Sequence, residues 1–122
     1  MFELEKYPGS SDLYDIDCSG LLAVAETLTA VTDVFALPAL SGADALTFGT
    51  RTINTAQVTF PDGKVAEIGK VIQLRVLGGT AEADQPKRNY SIILTCTTSA
   101  SNTIIAKAGM QVKTLSPANN LT

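Results

Sequence analysis

The amino-acid sequence predicts an all-β fold: an immunoglobulin-like antiparallel β-sandwich of about seven strands with one short helical turn. Two observations carry this. Apolar residues alternate with polar ones through Lys70–Val76, Tyr90–Cys96 and Thr103–Lys113, the period that a sheet with one buried and one wet face requires. Turn signals also recur about every ten residues, the spacing of a sandwich of short strands.

In chain order, residues 1–11 hold Pro8-Gly9-Ser10-Ser11 and are expected to form a polar N-terminal arm outside the core. Leu13–Cys18 is the first strand, with Tyr14, Ile16 and Cys18 inward. Gly20–Glu26 is the single helix-like piece, long enough for a turn or two. Thr27–Ala36 is a long strand whose phase shifts near Val31, passing to Val34 or Phe35, as a bulge or a switch between sheets would cause. Leu37–Asp44 is a loop. Ala45–Phe48 and Thr52–Phe60 are strands, the second with Ala56, Val58 and Phe60 inward. Pro61-Asp62-Gly63 is a tight turn, with Pro setting φ and Gly supplying φ > 0. Gly78–Arg88 is the longest loop, and Ser99–Asn102 is the hairpin turn between the last two strands. The tail from Ser116 is polar. Three segments result: an arm at 1–11, the sandwich at 12–115 and a C-terminal tail at 116–122. The expected core is Ile16, Leu28, Val58, Phe60, Ile72, Leu74, Val76, Ile92, Leu94, Ala108, Met110 and Val112. Tyr90, opening the penultimate strand after a long loop, stands where a tyrosine corner belongs.

At 122 residues, 45% of them apolar, the chain fits one domain able to bury a core without staples. Met1–Lys6 is charged with no apolar run behind it, so no secretory signal is expected and the protein is expected to be made in the cytosol. No apolar stretch approaches the ~20 residues of a membrane helix. Cys18 and Cys96 fall on the apolar phases of their strands and are expected to be small buried hydrophobes, although one bridge is compatible with them. The net charge of −3 is unevenly spread. Residues 1–50 carry eight acids against Lys6, a net of −7, while residues 51–122 carry eight bases against four acids, a net of +4. The split reads either as solvated faces or as a subunit whose acidic patch meets a neighbour's basic one.

The chain has no histidine. That removes the usual general base, the Ser-His and Cys-His pairs and the commonest metal ligand. No Cys-x-x-Cys pair and no Gly-rich phosphate loop are present. Asp12, Asp15 and Asp17 lie on a strand with no glycine turn to wrap them around a cation, so no metal and no cofactor are expected. Asn89-Tyr90-Ser91 matches a glycosylation sequon but lacks a secretory context. Basic residues are scattered without aromatic interleaving on an acidic chain, which argues against nucleic-acid binding. No enzymatic activity is expected. The competing class is a small hydrolase working through carboxylates alone.

Four features carry a resemblance: Leu13-Tyr14-Asp15-Ile16-Asp17, Ala25-Glu26-Thr27-Leu28, Gly78-Gly79-Thr80, and the strand from Tyr90 to Thr98-Ser99. With them the chain resembles small immunoglobulin-like structural proteins of tailed bacteriophages and prophages over roughly residues 12–114. Cys18 stands where that family commonly has an aromatic, and Ala81–Asn89 lengthens the loop after Gly-Gly-Thr. The resemblance implies a virion component, assembled in the bacterial cytoplasm. First among the roles it implies is a capsid decoration or cement protein. Second is a head–tail adaptor or tail-associated protein, and third a receptor-binding adhesion module on the particle surface. The implied partners are further copies of the chain and other virion proteins such as the major capsid protein, with no membrane and no small-molecule substrate.

Candidate contact residues follow from phase and charge. Ile93 and Ile105 point away from the core if Ile92 and Ile104 point into it, and on adjacent strands they form one apolar stripe. The stripe is either a contact site or is covered by a loop or the N-terminal arm. Lys87 and Arg88 in the basic half, and Asp15 and Asp17 on the outer phase of the acidic first strand, complete the set.

Overall fold

Alternation decides the layers. Tyr90, Ile92, Leu94 and Cys96 are buried while Ser91, Ile93, Thr95 and Thr97 on the same strand are half-exposed, in a computed structural model that describes residues 2–80 and 87–113. Nine strands form: β1 (Phe2–Lys6), β2 (Asp12–Asp17), β3 (Leu28–Leu37), β4 (Leu46–Ile53), β5 (Val58–Thr59), β6 (Val65–Ala66), β7 (Val71–Gly78), β8 (Lys87–Thr98) and β9 (Thr103–Lys113). Single 3₁₀ turns occupy Ser19–Leu21 and Gly42–Asp44. A four-stranded sheet in the order β1-β9-β8-β3 packs on a three-stranded sheet, β2-β7-β4, and β5-β6 is a small hairpin apart from both. The all-β sandwich expected from the alternation is therefore what forms.

The core lies between the two main sheets. Ile16, Ile72, Leu74 and Val76 from one meet Leu28, Ile92, Leu94, Ala108, Met110 and Val112 from the other, all buried. Cys18 and Cys96 join the same cluster as free thiols. Burial pushes the Cys18 thiol up to about 12, with Cys96 and Asp17 adding to it, and burial also raises Cys96. Both sulfurs are thus held as thiols, the unreactive form.

Besides nine strands for about seven and two 3₁₀ turns for one, two expectations change. Residues 2–6, read as part of an arm, form β1 and pair in parallel with β9, Phe2 opposite Ala108 through Lys6 opposite Val112. Leu4 packs against the core, and Lys6 is buried with its ammonium donating to the carbonyls of Tyr7 (2.9 Å) and Gly78 (2.5 Å). Phe2 and Leu4 alternate with Glu3 and Glu5 as in a strand, but Lys6 on the apolar phase and the Pro8-Gly9 break hid it; that buried cation is answered by main-chain oxygens. Burial lowers the Lys6 pKa against the raising effect of Asp12.

Second, Thr52–Phe60 is not one strand. β4 runs from Leu46 through a bulge between Phe48 and Arg51 and ends at Ile53, and Asn54 turns the chain away. The buried Asn54 side chain accepts from the N–H groups of Gly69, Lys70 and Val71 and donates to the carbonyls of Ala56 and Glu67. One amide thereby replaces a strand's worth of ladder bonds, a side-chain competition with secondary structure that asparagine is built for. Val58 and Phe60 are in consequence half-buried and outside the core. The phase shift expected near Val31 is a bulge, as one of its two readings had it: a pair, at Leu28/Ala30 and Val31/Asp33, which turn Val34 inward and Phe35 outward. Most of the long loop, residues 81–86, and the tail from 116 lie outside the described residues.

Tyr90 is buried, and its hydroxyl donates to the Asp44 carbonyl at 2.5 Å and accepts from the Thr80 N–H at 3.3 Å. It ties the 3₁₀ turn before β4 to the Gly78-Gly79-Thr80 turn, where Gly78 has φ +74° and a Cβ would stand 2.6 Å from the Ala45 carbonyl. Only glycine fits there.

Two stability predictions follow from this packing. Leu94→Ala is expected to cost about 2–5 kcal/mol by cavity formation. Asn54→Ala orphans the Val71 N–H and is expected to cost about 1–3 kcal/mol. Denaturant unfolding of both variants checks the values, and an Asn54→Ala change within experimental error of wild type would refute the role given to that amide.

Candidate functional site

The outer face of the four-stranded sheet carries the most exposed apolar residues of the sandwich layers. Phe35, Ile93 and Lys107 share one row across β3, β8 and β9, and the next row holds Asp33, Thr95 and Ile105. Ile93 and Ile105 are therefore diagonal neighbours, not direct partners, and diagonal pairs on one face remain within reach of long side chains. Ile105 is 56% exposed, Phe35 43% and Leu37 49%. Ile93 is half-buried beneath this set. The stripe expected from Ile93 and Ile105 thus exists and is longer than expected, running from Leu37 through Phe35 and Ile93 to Ile105. Phe35 and Leu37 escaped the sequence reading because the bulges, which set their side, left the phase open between Val34 and Phe35.

The other candidates lie elsewhere. Asp15 faces outward on the opposite sheet and accepts from Gln73 Nε2 at 3.2 Å. Asp17 is on the outer phase, as expected, yet buried, because the β5-β6 hairpin brings Lys64 over it. Its Oδ1 accepts from the Ser19 N–H (2.9 Å) and hydroxyl (2.5 Å), and Lys64 Nζ stands 3.5 Å from Oδ2. Burial pushes the Asp17 pKa up, but the Ser19 hydrogen bonds and the Lys64 charge outweigh it and hold the carboxyl below its ordinary value. Asp17 is an internal anchor and offers no open contact. Arg88 is half-buried at one end of the sandwich and donates through Nε to the Thr80 carbonyl. Lys87 begins β8, opposite Lys113. The six residues do not converge on one patch.

The strongest polar constellation centres on Glu26, which the sequence reading placed in a connector. Its Oε1 accepts from the Ala23 N–H at 3.0 Å. Its Oε2 accepts from Thr98 Oγ1 at 2.5 Å and Asn102 Nδ2 at 2.9 Å. These hydrogen bonds, the Ala23 amide foremost, hold the Glu26 carboxyl below its ordinary value. Every donor comes from the protein itself, so the carboxylate is a structural acceptor joining the β2–β3 connector to the β8–β9 turn. The signal was present as Glu26 followed by Thr27, but its partners lie 72 and 76 residues away.

Among the clefts that flank the sandwich are two of similar size. One, about 410 Å³, is lined by Val34, Ala36, Leu40, Leu46, Phe48 and Arg51 among others, between the edges of β3 and β4. The other, about 460 Å³, is bounded by Asp17, Leu21, Lys64, Ile105 and Lys107 beside β9. The first holds one charged group, Arg51, and the second three, Asp17, Lys64 and Lys107, on otherwise largely apolar walls. Among the described residues, no group of three or more His, Cys, Asp or Glu side chains is placed to hold a metal ion, and no helix is long and apolar enough to cross a membrane. Compared with known protein families and with characterised proteins, the chain matches none.

The Glu26 node makes a pH prediction. A carboxyl whose folded pKa is depressed contributes stability that is present above its unfolded value, about 4.3, and is lost as pH falls through the folded value. Glu26→Gln is therefore expected to melt below wild type at neutral pH and to converge with it in acid. Thermal melts from neutral to strongly acidic pH check this, and a constant gap across that range would refute it.

Proposed function

We propose that the protein is a non-enzymatic structural component that works by contact, and that the assembly it joins is the virion of a tailed bacteriophage, with capsid decoration as its first role. The observation that carries the reading is the stripe of Leu37, Phe35, Ile93 and Ile105 on a regular sheet face. Apolar residues grouped on the outside of a rigid domain mark a contact site. A second support is how the carboxylates are used. Among the described residues the buried acids are Asp17 and Glu26, and each spends its oxygens on hydrogen bonds from the fold around it rather than facing another acid for general acid–base work. The bacteriophage context comes from the resemblance of the strand and turn motifs and is the part that experiment must decide.

Quantitative mass spectrometry of purified particles is the test. Several hundred copies per particle supports decoration, whereas a ring-sized number, about six or twelve, supports the head–tail adaptor or tail role. A small number at the particle periphery with loss of host adsorption on deletion supports the adhesion role. Absence of the protein from particles defeats the virion reading.

A further inference from the structure

Sheet edges are where β proteins recruit or repel other chains, and this sandwich treats its edges unequally. The edge of β3 is broken by two bulges and that of β4 by one. β2 carries Asp12, Asp15 and Asp17 within six residues. Bulges and charges are the devices that blunt an edge. β9 differs. β1 covers it only from Ala108 to Val112, while β8 pairs with it from Thr103 to Lys113 without a break in register. Thr103-Ile104-Ile105-Ala106-Lys107 is therefore a regular edge segment with no bulge, no proline and one charge. Among the described residues, no strand pairs with its outer side.

The hairpin fixes which backbone groups that edge presents. Thr98 N–H bonds the Asn102 carbonyl, so the bonded pairs of the β8–β9 ladder fall on even-numbered β9 residues. Thr103, Ile105 and Lys107 consequently direct their N–H and C=O groups away from β8, toward the open edge. Their side chains lie on the outer face, where Ile105 is 56% exposed. Beside the edge is the cleft walled by Leu21, itself half exposed, together with Lys64 and Asp17.

We propose that β9 is a self-association edge: the segment Thr103–Lys107 pairs antiparallel with the same segment of a second copy about a two-fold axis at Ile105, joining two four-stranded sheets into one. The second copy is singled out by the segment's self-complementarity. With Ile105 opposite Ile105, Thr103 falls opposite Lys107 and Ile104 opposite Ala106. All six outward-directed N–H and C=O groups of each copy then find partners. No like charges oppose, the large Ile104 meets the small Ala106, and the exposed Ile105 side chains of the two copies meet on one face. Shifting the axis to Ile104 or Ala106 loses a bonded pair, because the hairpin turn ends the segment on one side and β1 ends it on the other. The self-pairing is an isologous contact that closes on itself, and it stands independently of the bacteriophage reading.

Sedimentation of the whole chain tests this, read together with melting and cross-linking. The native protein is expected to show a concentration-dependent dimer. Ile105→Lys, which sets two ammonium groups against each other at the axis, is expected to be monomeric, with the melting temperature that the native chain shows when diluted to monomer. Ile105→Cys is expected to give a covalent dimer under oxidised glutathione, since partners in a bonded antiparallel pair stand ~5.5 Å apart at Cα, within disulfide range. Lys107→Cys is not, because its own copy would lie four residues along the partner strand, ~14 Å away at ~3.4 Å per residue. The buried Cys18 and Cys96 do not compete. A native chain that stays monomeric at high concentration overturns the proposal. So does a dimer that survives Ile105→Lys, or one that cross-links through residue 107 and not 105. A melting temperature of Ile105→Lys several degrees below that of the native chain diluted to monomer overturns it as well, since it would mean the edge is already covered within one molecule.

Discussion

The register of the β8–β9 hairpin is the constraint on which the rest of this molecule depends. Side chains alternate with period two, so a slip of one residue would turn Ile92, Leu94 and Cys96 outward and Ile93, Thr95 and Thr97 inward, with the facing set on β9 following. What holds the register is a polar node. The Thr98 hydroxyl donates to Glu26 and accepts from the Ala100 and Asn102 N–H groups, Asn102 donates to Glu26, and the Ser99 N–H reaches the Thr27 carbonyl. Glu26 in turn caps the Ala23 N–H, and Lys70 Nζ donates to the carbonyls of Ala23 and Val24. The same few residues thus fix the hairpin turn, the connector between the two sheets and the start of β7.

That arrangement explains the sandwich's division of labour. At the Glu26 end both sheets are clamped by hydrogen bonds to side chains. At the other end Tyr90 performs the matching task, its hydroxyl shared between the Asp44 carbonyl and the Thr80 N–H. Lys6 adds a third tie there through the Gly78 carbonyl. Between the two ends the core is largely aliphatic, and among the described residues no buried side-chain polar atom lacks a partner. Polar specificity at the rims and apolar packing in the middle is a division that gives a unique register without leaving unpaired groups in low dielectric.

With the core fixed, the outer surfaces are what remain for function. Asp17 and Glu26 are consumed by the fold, and the thiols are held protonated. The features left over are geometric: a stripe of apolar side chains on one sheet face and a short unblunted edge beside it, meeting at Ile105. A residue that belongs to both the exposed face and the open edge is where contact through side chains and contact through backbone reinforce each other.

Although Lys87 and Arg88, read as the end of a loop, open β8, the fold class, the placement of β2, β7, β9 and β8 from Tyr90 onward, the burial of Cys18 and Cys96 and the outward phase of Ile93 and Ile105 can all be read from the amino-acid sequence. Each of these follows from local alternation and turn chemistry, which are short-range and written in neighbouring residues. Four other matters were settled by contacts between distant parts of the chain. Phe2–Lys6 became a strand because its buried lysine finds carbonyls at Tyr7 and Gly78. Residues 54–60 left the sheet because Asn54 finds amides 15 to 17 residues away. Phe35 joined Ile93 because bulges in β3 are settled by the partner strand. Asp17 closed over because Lys64 arrives from a distant hairpin. In every case a polar group or a bulge was resolved by a partner remote in the chain, and pairing across such distances leaves no periodic trace in the sequence.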